Sequence, residues 1–281
     1  MTVVSLPDRA VLSVAGPEAE HFLQNILTVD LDGVAAGEAW PGALLSPQGK
    51  ILFDFLVSRD GADGFLVDCR ADAADDLVRR LTLYRLRAKV TIEKRDQWLV
   101  AASWDDDSTG TLDRRFKNAA VRRHYGEVPP ATGERADWDR LRIASAVAEI
   151  GPDYAPGEAF PHDVLLDQLG GIGFRKGCYV GQEVVSRMQH RGTARRRLLI
   201  AAGEAPLPAS GAELSAGGRA LGQLGTVVGR EGLAIARLDR VKDALDAGLP
   251  IVAGGVPVGL SIPGWATFGF PSSAAGAAEE A

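Results

Sequence analysis

Three features of this chain could do chemistry by residue type and spacing. The first is the thiol of Cys178, set in "RKGCYVGQE" over residues 175–183. Val184, Val185 and Met188 have the spacing of one helical face, which predicts a helix starting near Gly181 or Gln182. Cys178 then lies just before a helix N-terminus and beside Lys176, and both features favour a thiolate, the form that attacks electrophiles and binds metals. Gly177 and Gly181 would let the backbone approach a ligand closely or adopt positive φ. The competing reading is a small, inert cysteine buried in a tight turn.

The second feature is Asp54, between Leu52 and Leu56 on one face of an alternating segment, "KILFDFLVS". On a buried face its carboxylate needs a partner, such as the amine or guanidine-like edge of a ligand; on an edge strand it would face water. The third is a run of cations. Arg175, Lys176, Arg187, Arg191, Arg195, Arg196 and Arg197 stand in a segment whose only acid is Glu183, in a chain of net charge -6. They form either an anion-attracting surface or a solvated face.

Other chemistries find little support. No second cysteine stands near Cys178, His190 is twelve residues on, and Cys69 is remote, so no intrinsic metal is expected. His21, His124 and His162 each stand alone, without a triad partner at a recognisable spacing. Neither GxGxxG nor GxxxxGK[ST] occurs.

Elements must position these groups. "RAVLSVAG" reads as a strand, and "GPEAEHFLQNIL" as a helix with Pro17 at its first position. Residues 50–68 read as a hairpin through "RDGADG", followed by the helix "ADAADDLVRRLTLYR" and the strands "AKVTIEK" and "QWLVAAS". "WDDDSTG" reads as an exposed loop, and "DWDRLRIASAVAEIG" as a helix stopped by Gly151. Short strands with Gly-rich turns over about 197–265 suggest a small barrel or sandwich, and the tail "SSAAGAAEEA" reads as disordered.

The 281 residues, 46% hydrophobic, suffice for a large core and two or three domains. Two cysteines fit a reducing compartment; no signal peptide and no membrane-length apolar run is read, so a cytoplasmic protein is expected. The acidic balance argues against broad nucleic-acid binding, and no aromatic residues interleave the arginines, so direct RNA binding is not expected.

Lys176, Gly177, Cys178, Tyr179, Gly181, Gln182 and Glu183 match the K-G-C-Y-x-G-Q-E signature of the YgfZ-type folate-binding proteins, relatives of the glycine-cleavage T-protein (aminomethyltransferase). "LQNILTVDL", "SPQGKILFDFLV", "FPHDVLLDQLGGIGFRKGCY" and "HRGTARRRL" also resemble that family in order, over roughly residues 10–265. The resemblance implies an α+β fold of three domains in a ring with a C-terminal β-barrel. The expected division is 1–48 with 104–194 as a discontinuous folate-binding-like domain, 49–103 inserted, 195–268 the barrel and 269–281 the tail.

It also implies tetrahydrofolate or a derivative as ligand, and a role in assembling or maintaining iron–sulfur enzymes with four-iron clusters, one of which supports a tRNA modification. Partners would be iron–sulfur assembly proteins and those client enzymes. Asp54 falls where the T-protein carries its folate-contacting Asp, while Ala144 takes the place of its pterin-reading Glu. Loss of that carboxylate would cost ~1.5–3 kcal/mol of binding. The leading reading makes Cys178 a functional thiol, with Lys176, Arg187 and Arg191 tuning it and attracting an anion. Asp54 would hold the folate. The rival is a tetrahydrofolate-dependent aminomethyl or one-carbon transferase.

Overall fold

Residues 51–59 alternate as a strand must, and they lie in the middle of a nine-stranded sheet. The computed structural model describes residues 1–105, 109–192 and 194–271. Its strands are β1 (Thr2–Ser5), β2 (Arg9–Ala15), β3 (Glu38–Leu45), β4 (Ile51–Arg59), β5 (Gly64–Arg70), β6 (Thr91–Lys94), β7 (Leu99–Trp104), β8 (Thr111–Asp113) and β9 (Arg122–Gly126). After these come β10 (Arg196–Gly203), β11 (Glu213–Ala216), β12 (Arg219–Val228), β13 (Glu231–Arg237), β14 (Ile251–Ala253) and β15 (Val256–Ser261). The α-helices are α1 (Ala19–Gln24), α2 (Ala74–Arg85), α3 (Arg135–Ser145), α4 (Gln182–Arg191) and α5 (Leu238–Asp246).

The sheet runs β1-β7-β9-β8-β3-β4-β5-β2-β6. Every pairing is antiparallel except β3–β8, a short parallel contact that joins two halves. Phe55 and Val57 of β4 pack under α1 and α2 with Leu12, Phe22, Leu23, Leu77 and Leu81. The second half is centred on fully buried Trp138, stacked near Phe116 and Trp104. β10 to β15 close into a six-stranded barrel, which α3 packs against at β12 and β13.

Several expectations need correction. The boundary at 48/49 cuts the β3–β4 hairpin, and that at 103/104 cuts β7, which pairs with β9. Residues 49–103 are therefore woven into the same sheet as their neighbours. The strands that do this are β1, β2, β3 and β9, and of these only β2 carries a legible pattern of its own. α3 stops at Ser145, six residues before Gly151, because Ala146 takes the left-handed cap at φ 52. α1 begins at Ala19, so Pro17 precedes it. The amphipathic α5 lies within the expected all-β region. Residues 106–108 of the expected loop and 272–281 of the expected tail lie outside the described residues.

One buried network holds these parts together. Arg9, Arg115, Arg123 and Arg142 are buried with Asp68, Asp113, Glu149 and Asp153, four of each sign. Arg9 Nε donates to Asp68 Oδ1 at 2.7 Å, and Arg115 Nη2 donates to Asp113 Oδ2 at 2.8 Å. Arg123 Nε donates to Asp113 at 3.1 Å while its guanidinium lies 4.9 Å over the Trp138 ring. Arg142 donates to Asp153 at 2.8 Å and to Thr226 Oγ1 of the barrel at 2.7 Å. Asp153 Oδ1 in turn accepts from the Thr226 amide at 2.6 Å. Glu149 lies within 3.4–3.8 Å of Arg115, Arg142, Arg123 and Arg135. Burial by itself would push the Glu149 carboxyl up, but Arg142, Arg115, Arg9 and Arg123 together hold it well below the usual carboxylate range.

A carboxyl depressed in the folded state stabilises the protein above its unfolded pKa, and that stability is lost as pH falls through the folded value. We predict falling urea midpoints as pH drops below about 4.5, the ordinary Glu value. Glu149→Gln should cost about 3–5 kcal/mol at pH 7, as expected when one partner of a buried pair is removed. The same variant should flatten the acid decline, and an unchanged midpoint at both pH values would refute the assignment.

Candidate functional site

The parity of β4 turns Asp54 away from α1 and α2, toward the 147–154 segment that follows α3. There its Oδ2 accepts from the Ile150 amide at 2.9 Å and from the Tyr154 hydroxyl at 2.7 Å. Its Oδ1 is shielded from solvent and has no hydrogen-bond partner among the described residues. Burial pushes the Asp54 carboxyl up, against the pull of Arg9 and of those two hydrogen bonds. Tyr154 is likewise raised, by burial first and then by the Asp54 charge.

These groups line a narrow cleft whose free volume is only about 20 Å³, room for about one water. Arg9 and Arg115 form its cationic wall; Pro41, Phe55, Val164, Leu166 and Leu169 are apolar. The cleft offers one unmatched acceptor, two fixed guanidinium groups and apolar surface. In chemistry, though not in its present volume, that matches a flat heterocycle with N–H donors along one edge, and admitting one requires the walls to part.

Ala144 is not part of this cleft. It is exposed on α3, whereas Ala148 lines the wall. The inference of a missing pterin contact at Ala144 therefore does not hold for this geometry. The carboxylate that comes close is Glu149, one step beyond the lining residue Ala148. Its sequence neighbourhood gave no sign, because its partners come from β2, β9, α3 and the β8–β9 loop.

Cys178 is exposed and free, outside the cleft lining. The residues around it explain how the loop is held. Lys176 Nζ donates to the Leu27 and Val29 carbonyls, each at 2.7 Å. Burial lowers its pKa to about 8, with Asp30 and Asp32 pulling the other way. Tyr179 is buried in the core with Ile172 and Val185, and burial raises its hydroxyl to about 12. Gly181 caps α4 at φ 80, and a Cβ there would meet the Ser46 carbonyl oxygen at 2.6 Å. The helix start expected near Gly181 or Gln182 is thus found at Gln182.

Other expected roles change. Lys176 donates two hydrogen bonds to the 27–29 backbone, and so anchors the loop. Tyr179 and Gly181 are likewise framework. Gly177 has open space around it and no positive φ. Gln182 Nε2 makes a long contact of 3.5 Å to the Gly177 carbonyl. Arg187 pairs with Glu183 at 2.6 Å on the exposed face of α4, and Arg191 is exposed in its last turn.

Arg197 is buried, bonded to the His162 carbonyl at 2.8 Å and to Asp167 at 2.7 Å. The cations of this segment therefore do separate jobs. Cys69 is the inert cysteine, its thiol pushed up to about 12 by burial. Among the described residues, no three His, Cys, Asp or Glu side chains converge as a metal site would require. Sequence spacing gave no sign of Ser103 and His124, 2.8 Å apart but both buried.

Residues 195–268 match a family model described as the CAF17 C-terminal beta-barrel domain. The chain is 31% identical over 245 residues to the mitochondrial iron-sulfur cluster assembly factor IBA57 of Mus musculus, covering 75% of this chain and 68% of that protein. The Homo sapiens protein of the same name is 32% identical over 240 residues, with 73% and 67% covered. Among solved structures, glycine cleavage system aminomethyltransferase T from Bartonella henselae aligns with a TM-score of 0.70. It covers 94% of this chain and 86% of that one at 14% identity, a likeness of fold.

The two loop glycines give a direct check on the anchoring. Gly181→Ala should cost about 1–3 kcal/mol, from a strained φ plus the steric conflict at Ser46. Gly177→Ala should stay within about 0.5 kcal/mol of wild type. Equal melting temperatures for the two variants would contradict the distinction.

Proposed function

We propose that this chain, which belongs to the family of iron–sulfur cluster assembly factors of the IBA57 and YgfZ type, works through two separate sites, the exposed thiol of Cys178 and the Asp54 cleft. Its role is in the assembly of iron–sulfur proteins. The observation that carries the assignment of Cys178 is the contrast within its own loop. Half-buried Lys176 and buried Tyr179 anchor the loop on either side, while the thiol between them is left in solvent. Cysteine is ordinarily among the most buried residues, so a firmly held loop that presents one outward favours contact with another molecule.

The cleft supports a folate ligand. The orphaned Asp54 Oδ1 would accept from the amino-pyrimidine edge of a pterin, and the apolar wall at Phe55, Val164 and Leu166 would cover the ring. Arg115 stands ready for an electron-rich edge. Tetrahydrofolate, when bound, would supply a carried one-carbon unit. Four-iron enzymes are the clients we assign, including one on which a tRNA modification depends. The compartment is a reducing one, cytoplasmic on the sequence reading, while the named relatives are mitochondrial.

Fold likeness to an aminomethyltransferase, together with the Asp54–Tyr154 pair, favours a second reading as a one-carbon transferase. Glycine-cleavage turnover with the other system components, collapsing in Asp54→Asn, would support that reading. For the first, cells lacking the wild-type protein should not regain four-iron enzyme activity with Cys178→Ser. Full recovery, oxidative stress included, would remove the thiol from the account.

A further inference from the structure

α2 buries one apolar face against the sheet and leaves two leucines exposed at its C-terminal end. Ala74, Leu77 and Leu81 are buried against the sheet. Leu83 and Leu86 are 69% and 87% exposed. Arg79, Thr82 and Leu86 recur at helical spacing, so with Leu83 they share one outward stripe. Leu86 is also the helix C-cap, at φ 48 and ψ -103. A non-glycine residue in such a conformation costs on the order of 1–3 kcal/mol, where glycine would cost nothing of the kind. At 87% exposure its side chain recovers little of that by packing among the described residues.

Within residues 79–89 the charge has one sign. Residues 79–89, "RRLTLYRLRAK", hold Arg79, Arg80, Arg85, Arg87 and Lys89 and no acid, in a chain of net charge -6. Arg79 pairs with Asp76, and Arg85 Nη1 donates to the Val90 carbonyl at 3.3 Å. Glu18 Oε2 is taken by the backbone amide of Lys89 at 2.6 Å. Arg80 and Arg87 are exposed and have no ion-pair or hydrogen-bond partner among the described residues.

We propose that the C-terminal end of α2 is a docking surface for an acidic protein. Leu83 and Leu86 seat in an apolar groove on that partner, and Arg80 and Arg87 pair with carboxylates at its rim. Charge complementarity selects the partner's sign, and the paired leucines select its class. Phosphates of an RNA would reward the arginines but leave both leucines in water, and the stripe offers no aromatic platform for bases. An anionic bilayer takes a helix with a broad apolar face, and that face of α2 is already spent on the core. A groove on a protein serves both groups at once: a desolvated apolar centre within a polar rim.

The test uses the full chain in cells, with p-benzoylphenylalanine placed at exposed Thr82. Irradiation should join it to another protein, through a segment rich in Asp and Glu. Leu86→Gly should cut the yield about tenfold without unfolding the chain, since it removes an anchor while relieving backbone strain. Arg80→Glu combined with Arg87→Glu should give a loss of the same order. Joining to lipid or RNA, a joined segment without excess acid, no joined product, or full yield in Leu86→Gly would each overturn the proposal.

Discussion

Four guanidinium groups buried against four carboxylates constrain everything else in this molecule. Any one of these charges, left alone in the interior, would cost several kcal/mol, so the set stands or falls together. Its members come from both halves of the sheet, from α3, from the segment after α3 and, through Thr226, from the barrel. The parts cannot shift independently without stranding a charge. Its net neutrality allows so much polar matter below the surface of a chain this size.

The cleft inherits its shape from that network. Arg9 and Arg115 are cleft walls because Asp68, Asp113 and Glu149 have already fixed them. Asp54 is placed by strand parity and held by Ile150 and Tyr154, which follow Glu149 in the same segment. A ligand larger than a water would have to part these walls, but it would meet charged groups already held in place. The thiol loop is held by a different device: one half-buried ammonium on two carbonyls, one buried tyrosine and one glycine that must be glycine. The same chain thus holds a recessed carboxylate and an exposed thiol on separate supports.

Periodicity was readable where one face of an element meets the core. β2, β4, β5, α2 and the barrel strands were legible for that reason, as was the start of α4 at Gln182. β1, β3, β8 and β9 were not, since their burial depends on partners far away in sequence. Asp54 stood out because a carboxylate interrupted an apolar alternation. Glu149 and the arginines around it did not, because each looks like an ordinary surface charge until tertiary contacts assemble them. The motif around Cys178 was legible as a unit, yet the division of labour within it was not. Lys176 beside a cysteine suggests activation of the thiol; only the fold reveals that its ammonium is committed to Leu27 and Val29.

The central claim is that the recessed carboxylate and the presented thiol are separate sites on one frame. Titration of tetrahydrofolate against wild type, Asp54→Asn and Cys178→Ser tests it most directly. The account predicts affinity about ten- to a hundredfold weaker in Asp54→Asn, the loss of one charge-assisted contact, and unchanged in Cys178→Ser. Equal loss in both variants, or no loss in Asp54→Asn, would contradict it.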